Sequence, residues 1–216
     1  SFSKYTGLYT DMMAIRKDED IDEIHSLYVE QYDWEKVIDK KDRTFFYLKD
    51  TVKSIYEAIR ETSIILKQKY HFLTIDLPKS IYFITSQELE DLYPDKTPKE
   101  RERLIVKDKK AVFIIGIGDK LKSGIVHDLR SPDYDDWSLD GDLMVFDKEL
   151  DRAIALSSMG IRVDKKSMMA QLKEANKLER LNLSYHKMLL ADKIPLTIGG
   201  GIGQSRLCML LLGRAH

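Results

Sequence analysis

Gly199-Gly200-Gly201-Ile202-Gly203-Gln204-Ser205-Arg206, running straight into Leu207-Cys208-Met209-Leu210-Leu211-Leu212, is the segment on which the reading of this chain turns. Four glycines in five positions let the backbone approach a ligand closely, and the first turn of the apolar helix that follows carries an arginine fork. Read as a turn before a helix, the segment suits a polyphosphate. Taken alone it serves equally well to let two elements pack tightly. No Lys-Ser or Lys-Thr follows the glycines, and no strand-Gly-x-Gly-x-x-Gly-helix unit opens the chain, so a P-loop or Rossmann site is disfavoured.

With 216 residues, 43% hydrophobic and 33% charged, the chain can bury one sizeable core as a single domain. A formal net charge of -1 provides no basic field and argues against a dedicated nucleic-acid binder. Cys208, the single cysteine, excludes an internal disulfide; its apolar neighbours predict a buried thiol in a reducing compartment. No stretch approaches the ~18 consecutive apolar residues that span a membrane. Ser1 to Gly7 has no signal-peptide core, so the expectation is a soluble, cytoplasmic protein with no membrane partner. The chain starts without Met and enters a strand-like segment almost at once, which points to an absent amino-terminal portion.

Alternation marks Leu8 to Ile15 and Ser26 to Trp34 as an antiparallel strand pair joined by the charged loop Lys17 to Glu23. Phe45, Leu48, Val52, Ile55 and Ile59 recur at helical spacing and predict an amphipathic helix from Lys41 to about Tyr70. Ile81 to Ile84 reads as a strand. Thr85 with Glu88, and Thr97-Pro98-Lys99-Glu100, are capping boxes that start two helices. Further strands are expected at Ala111 to Ile115, Leu143 to Phe146 and Asp151 to Val163, and helices from Asp164, over Leu178 to Leu190, and after the glycines. Strands interrupted by helices without a βαβ beat give an α+β class with a mostly antiparallel sheet flanked by helices.

Polar residues of interest cluster at strand ends. Arg16 ends the first strand, and Gln31 and Asp33, two apart, share one face of the second. Asp133, Asp135 and Asp136 stand in a run too acidic to read as core, Asp142 immediately precedes an apolar strand, and Ser157, Ser158 and Arg162 interrupt apolar sequence. Carboxylates beside separated arginines are what nucleotide chemistry with Mg2+ requires. Each residue also has an ordinary reading as turn former, solvated charge or local hydrogen-bond partner.

Taken together the segments match something specific. Arg16-Lys17-Asp18 followed by His25 to Gln31 resembles motif 2 of class II aminoacyl-tRNA synthetases, and Gly199 to Arg206 resembles their motif 3. Ser131-Pro132-Asp133-Tyr134-Asp135-Asp136-Trp137, Leu156 to Val163, Gly7 to Met12 and Gln31-Tyr32-Asp33-Trp34-Glu35 are similar to the ammonia-dependent asparagine synthetases (aspartate-ammonia ligases), tRNA-free relatives of the aspartyl and asparaginyl synthetases. The resemblance runs the length of the chain.

It implies a class II synthetase-like catalytic domain over residues 1–216 and a two-step ligase using ATP, Mg2+, aspartate and ammonia as a homodimer, without tRNA or other nucleic acid. By the same resemblance Arg16 holds the α-phosphate and the attacking carboxylate, and Arg206 clamps the γ-phosphate and the adenine. Asp18 and Tyr28 border the adenine, while Gly199, Gly200 and Gly201 floor the ATP site. Gln31, Asp33, Ser157, Ser158 and Arg162 bind aspartate or asparagine, Asp135 orients ammonia and accepts its proton, and Asp142 binds Mg2+ or ATP.

The chain departs from that pattern in three ways. A motif 1 segment is expected before Ser1, a loop after Asp135-Asp136-Trp137-Ser138 is shortened and a tail is expected beyond His216, and Ala155 stands where the family has an acid. Two other readings follow: an aspartyl- or asparaginyl-type aminoacyl-tRNA synthetase, and a catalytically weakened nucleotide-binding relative, the latter because of Ala155.

Overall fold

The computed structural model describes residues 2–18, 20–22 and 24–214; Glu19 and Glu23 of the charged loop lie outside it, as do Ser1, Ala215 and His216. Alternating and β-branched segments build one seven-stranded sheet in the order β1-β2-β7-β6-β5-β4-β3. Its strands are β1 (Gly7–Ile15), β2 (Tyr28–Val37), β3 (Tyr82–Thr85), β4 (Ala111–Ile115), β5 (Asp135–Asp147), β6 (Arg152–Arg162) and β7 (Thr197–Gly203). Among the described residues only β3 and β4 pair in parallel, and the helices α2 (Ser86–Leu92) and α3 (Pro98–Lys109) form the crossover between them. Both start at the capping boxes, with Thr85 answered by Glu88 and Thr97 by Glu100.

The two faces of the sheet have different covers. Helix α1 (Phe45–Lys69) turns Leu48, Val52, Tyr56 and Ile59 onto Phe113, Leu143, Val145, Ile154 and Met159. Each such fully buried side chain contributes about 1.5–3 kcal/mol of transfer free energy. Helix α6 (Gln204–Leu212) adds Met209, Leu210 and Leu211 to that core. On the opposite face α2 and α3 cover Val112, Ile114 and Met144 with Leu89, Ile105 and Val106, leaving the sheet towards β1 uncovered by them. Helices α4 (Lys165–Glu174, capped by Asp164) and α5 (Ser184–Leu190) pack their own small core of Met168, Leu172 and Leu189 beside Val163.

Several expectations are corrected. The glycines do not form a turn: they lie within β7, hydrogen-bonded between β2 and β6. A backbone with little side chain can still satisfy its N–H and C=O groups in a sheet ladder, and tertiary pairing overrides the low strand propensity of glycine. Asp135 and Asp136 are buried, 6% and 8% exposed, because Arg162 and Arg43 neutralise them. Asp142 lies inside β5, which starts eight residues earlier than its apolar core. Residues Leu178–Asn182 form a separate 3₁₀ turn before α5, and residues Lys40–Asp42 another before α1. Cys208 is exposed, because α6 turns Met209 to Leu211 inward instead. Among the described residues no helix is long and apolar enough to cross a membrane.

Gly200 is the β7 glycine turned closely against the α1 side. A Cβ there would stand 2.5 Å from Met159 Cβ and 2.6 Å from the Ser158 carbonyl oxygen, whereas at Gly203 the nearest atom is 3.9 Å away. Gly200→Ala is expected to lower stability by about 1–3 kcal/mol. Gly203→Ala should be neutral or stabilising by up to about 1 kcal/mol. Urea unfolding midpoints of the two variants test the contrast.

Candidate functional site

Strand register assembles the site. Asp142 on β5 lies opposite Ser158 on β6, Ser158 opposite Gly201 on β7, and Gly201 opposite Asp33 on β2. The period of two carries the row along the same face to Asp140, Gly160, Gly199, Gly203, Gln31 and Glu35. β7 therefore shows three glycines to this face, and the strand becomes the floor of a trough between taller walls. At Gly201 a Cβ would meet Asp33 Oδ1 at 2.4 Å; at Gly199 it would meet Glu35 Oε2 at 2.1 Å and Arg162 Nη2 at 2.6 Å.

The trough opens into a cavity of about 540 Å³ where α3 ends its cover of the face. Its lining brings together Arg16, Tyr28, Gln31, Asp33, Asp135, Asp142, Ser157, Ser158, Gly200, Gly201 and Arg206. Three expected site residues stand outside that lining. Asp18 is an exposed turn residue after β1, and Gly199 lies beneath the Glu35–Arg162 contact. Arg162 sits behind the wall formed by Tyr134 and Asp135, both of which do line the cavity.

Arg162 is the most heavily engaged of these side chains. Its Nη1 is paired with Asp135, its Nε donates to Glu35 at 3.1 and 3.2 Å, its Nη2 donates to Glu35 at 2.9 Å, and its plane lies 3.9 Å above the Tyr134 ring. Two carboxylates thus fill the guanidinium fork that a substrate carboxylate was expected to occupy. Burial works against its charge, but Asp135 and Glu35 outweigh burial and hold Arg162 protonated more firmly than usual. Burial lifts the Asp135 carboxyl above the ordinary range and Arg162 offsets part of that lift. Asp33 is raised more simply, by burial, against a weaker pull from Arg162.

A second arginine holds the other carboxylates. Arg130 pairs with Asp142 through Nη2 and lies 3.7 Å from Asp140 Oδ2 through Nε, while Asp142 accepts a 2.6 Å hydrogen bond from Ser158 Oγ. Asp140 is 1% exposed; its Oδ1 accepts from the Ile117 N–H at 2.8 Å and its Oδ2 has no hydrogen-bond partner. Burial, then the nearby Asp135, push its carboxyl well above the ordinary range. Arg206 donates from Nη1 to the Ala155 carbonyl oxygen at 3.0 Å and from Nε to the Ile24 carbonyl oxygen at 3.3 Å. The expected metal ligand therefore stands alone. Asp142 is already satisfied by Arg130 and Ser158, the neighbouring Ala155 has no donor side chain, and no group of three His, Cys, Asp or Glu able to hold an ion occurs among the described residues. These residues do not fit a resident cation.

Sequence reasoning missed Glu35, Arg130 and Asp140. The alternation Asp140-Gly141-Asp142 was the available signal, since two acids at that spacing on one strand must share a face.

The aspartate-ammonia ligase family profile matches residues 1–216. The chain belongs to that family. It is 59% identical over 216 residues to an aspartate-ammonia ligase of Lactobacillus johnsonii and 56% identical over 216 residues to one of Clostridium tetani, covering all of this chain in both cases. The chain spans 64% and 63% of those two relatives, under two thirds of their length. Among solved structures it is similar to an aspartyl-tRNA synthetase from Entamoeba histolytica (TM-score 0.66, 15% identity, 96% of this chain and 45% of that one). It is also similar to an asparaginyl-tRNA synthetase from Pyrococcus horikoshii complexed with asparaginyl-adenylate (TM-score 0.66, 13% identity, 95% of this chain and 49% of that one). The aspartate-ammonia ligase family thus carries a class II synthetase-like catalytic fold in this chain, as the motifs implied.

The buried Asp140 carboxyl gives a pH test. Its folded pKa is raised, so the stability linked to its proton is complete below the ordinary carboxylate range and is lost as pH rises through the raised value. Asp140→Asn keeps the acceptor for Ile117 and removes the charge. It should unfold at higher urea than the parent at pH 8, by about 1–3 kcal/mol, with the gap closing towards pH 4. Urea midpoints measured across that range check the sign.

Proposed function

We propose that the protein is an ATP-dependent ligase that makes asparagine from aspartate and ammonia through a β-aspartyl adenylate, releasing pyrophosphate and then AMP. One observation carries the reading: a single cavity on the open sheet face gathers the residues of both synthetase motifs and of the segments specific to the family. The substrate β-carboxylate attacks the α-phosphorus and the bond to the outgoing pyrophosphate breaks; ammonia then attacks the activated carbonyl and AMP leaves. The protein's part is positioning and charge stabilisation.

Arg16, just after β1 and paired through its backbone with Leu27, lines the same cavity as Gln31 and Asp33 and is the candidate for the α-phosphate and the attacking carboxylate. Arg206, on the first turn of α6, is the candidate for the γ-phosphate and the adenine, with Tyr28 beside the base. Gln31, Asp33 and Ser158 would hold the amino acid, Arg162 acting from behind through Asp135 and Glu35, whereas Ser157, opposite Leu143, turns to the other face of the sheet. Asp135, buried and raised, is suited to take the proton that ammonia loses. Mg2+ would arrive with the triphosphate rather than reside in the chain, because Asp142 is already engaged by Arg130 and Ser158. The homodimer, the cytoplasmic location and the lack of tRNA belong to this proposal; the net charge of -1 supports the last.

A quenched assay with ATP, aspartate and ammonium tests the reading: AMP and pyrophosphate must form together with asparagine, and amide formation with ADP would refute it. Arg16→Ala is expected to lower the rate by about 10²–10³-fold with the melting temperature little changed.

A second reading, nucleotide binding with little turnover, is favoured by the methyl group of Ala155 on the cavity wall. Under it Ala155→Glu would raise turnover at least tenfold, on the order of one added charged contact. A parent chain with full turnover, unchanged by that substitution, excludes it.

A further inference from the structure

Lys99 lines the cavity but has no part in the roles above. It is the second residue of α3, the helix that covers Met144 and Ala155 and stops at the cavity edge. Its ammonium lies 3.2 Å from Glu102 Oε1 and 3.2 Å from Asp128 Oδ2, although its side chain is 70% exposed. Glu102 is anchored from behind, accepting from buried His127 Nε2 at 3.1 Å. Asp128 also feels Arg130, and Arg130 pairs with Asp142. One wall of the cavity is thus a row of alternating charge, Lys99, Asp128, Arg130 and Asp142, with Glu102 behind Lys99.

The row faces Arg206. Arg206 is hydrogen-bonded to the Ala155 carbonyl, Ala155 pairs in register with Met144, and Met144 is two residues along β5 from Asp142. Across an uncharged floor of Met144 and Ala155 the cavity therefore has arginine on one side and Lys99 with Arg130 on the other. A guanidinium and an ammonium on that wall suit phosphate oxygens, as a fork and a point charge respectively. Asp128, between them, presents a carboxylate where a phosphate could lie. A polyphosphate brings several charges and more acceptor oxygens than one carboxylate, so it can take over both cations as the pairs Lys99–Asp128 and Arg130–Asp142 give way.

We propose that Lys99 and Arg130 form the subsite for the β,γ-phosphates of ATP and for the outgoing pyrophosphate, and that Asp128 is an internal competitor for the same cations. This deepens, and rests on, the ligase reading. It has a consequence that a merely structural ion pair lacks, since the two partners of one pair affect anion binding in opposite directions. Removing the lysine weakens the anion; removing the competing carboxylate strengthens it.

The experiment is calorimetric titration of the full chain with inorganic pyrophosphate, without turnover, for the parent, Lys99→Met, Lys99→Arg and Asp128→Asn. Asp128→Asn retains the Oδ1 that accepts from the Leu129 N–H at 2.8 Å, so the local turn is kept. Lys99→Met is expected to weaken pyrophosphate about tenfold, Lys99→Arg to restore most of it, and Asp128→Asn to tighten it about three- to tenfold. In steady state the KM for ATP should follow the same order while the KM for aspartate stays fixed. Equal pyrophosphate affinity in the parent and Lys99→Met, or weaker binding in Asp128→Asn, would overturn the subsite. Failure of the parent to form AMP would instead count against the ligase reading, and the binding series would still decide the subsite by itself.

Discussion

Arg162 reaches Glu35 only because the strand between them has no side chain in the way. It starts on β6, passes over Gly199 of β7, and grips a carboxylate on β2 while its other amino group holds Asp135 on β5. Four neighbouring strands are tied by one buried cation whose donors are used, an arrangement costly to break because any partner removed leaves an uncompensated charge. Everything else at the site is placed relative to that clamp. It sets the side of the sheet that stays polar, and it requires glycine at the crossing.

The same constraint explains why the cavity is a trough. A strand with glycine at alternate positions offers a backbone floor with full ladder hydrogen bonding and no bulk. The opposite face of the same strand must be filled, and Ile198 and the α6 residues Met209 to Leu211 fill it. Charge then follows shape. The uncovered face holds Asp33, Asp135, Asp140 and Asp142, and carboxylates this close persist with Arg130 and Arg162 among them and with the Asp140 carboxyl pushed well above its ordinary range. A net charge of -1 for the chain hides this strong local alternation.

Much of the fold was legible from local signals. The capping boxes at Thr85 and Thr97 and the Asp164 cap start their helices where local chemistry says, whereas the apolar stripe of α1 gave its face and not its start, which is Phe45 after a 3₁₀ turn instead of Lys41. The glycine segment was misread in conformation because its strand state depends on partners far along the chain: Asp33 opposite Gly201, and Ser158 on the other side. The same distance hid part of the site. Arg162 and Glu35 are 127 positions apart, and only the sheet order makes them neighbours.

By itself, then, the sequence determined the identity of the chemically able residues, the family and the starts of the helices that carry side-chain caps at Thr85, Thr97 and Asp164, because motifs and caps are short-range patterns carried by residue type. The tertiary structure alone decided which of those residues meet. Pairing β7 between β2 and β6 converts spacing of two along each strand into one continuous face, so Gln31, Asp33, Asp142 and Ser158 converge, Asp18 is left outside, and Lys99 is brought to the cavity edge by a helix whose capping box gave its start but not its place. Burial, decided by packing over the whole chain, turned an acidic run that reads as a loop into the buried start of a central strand.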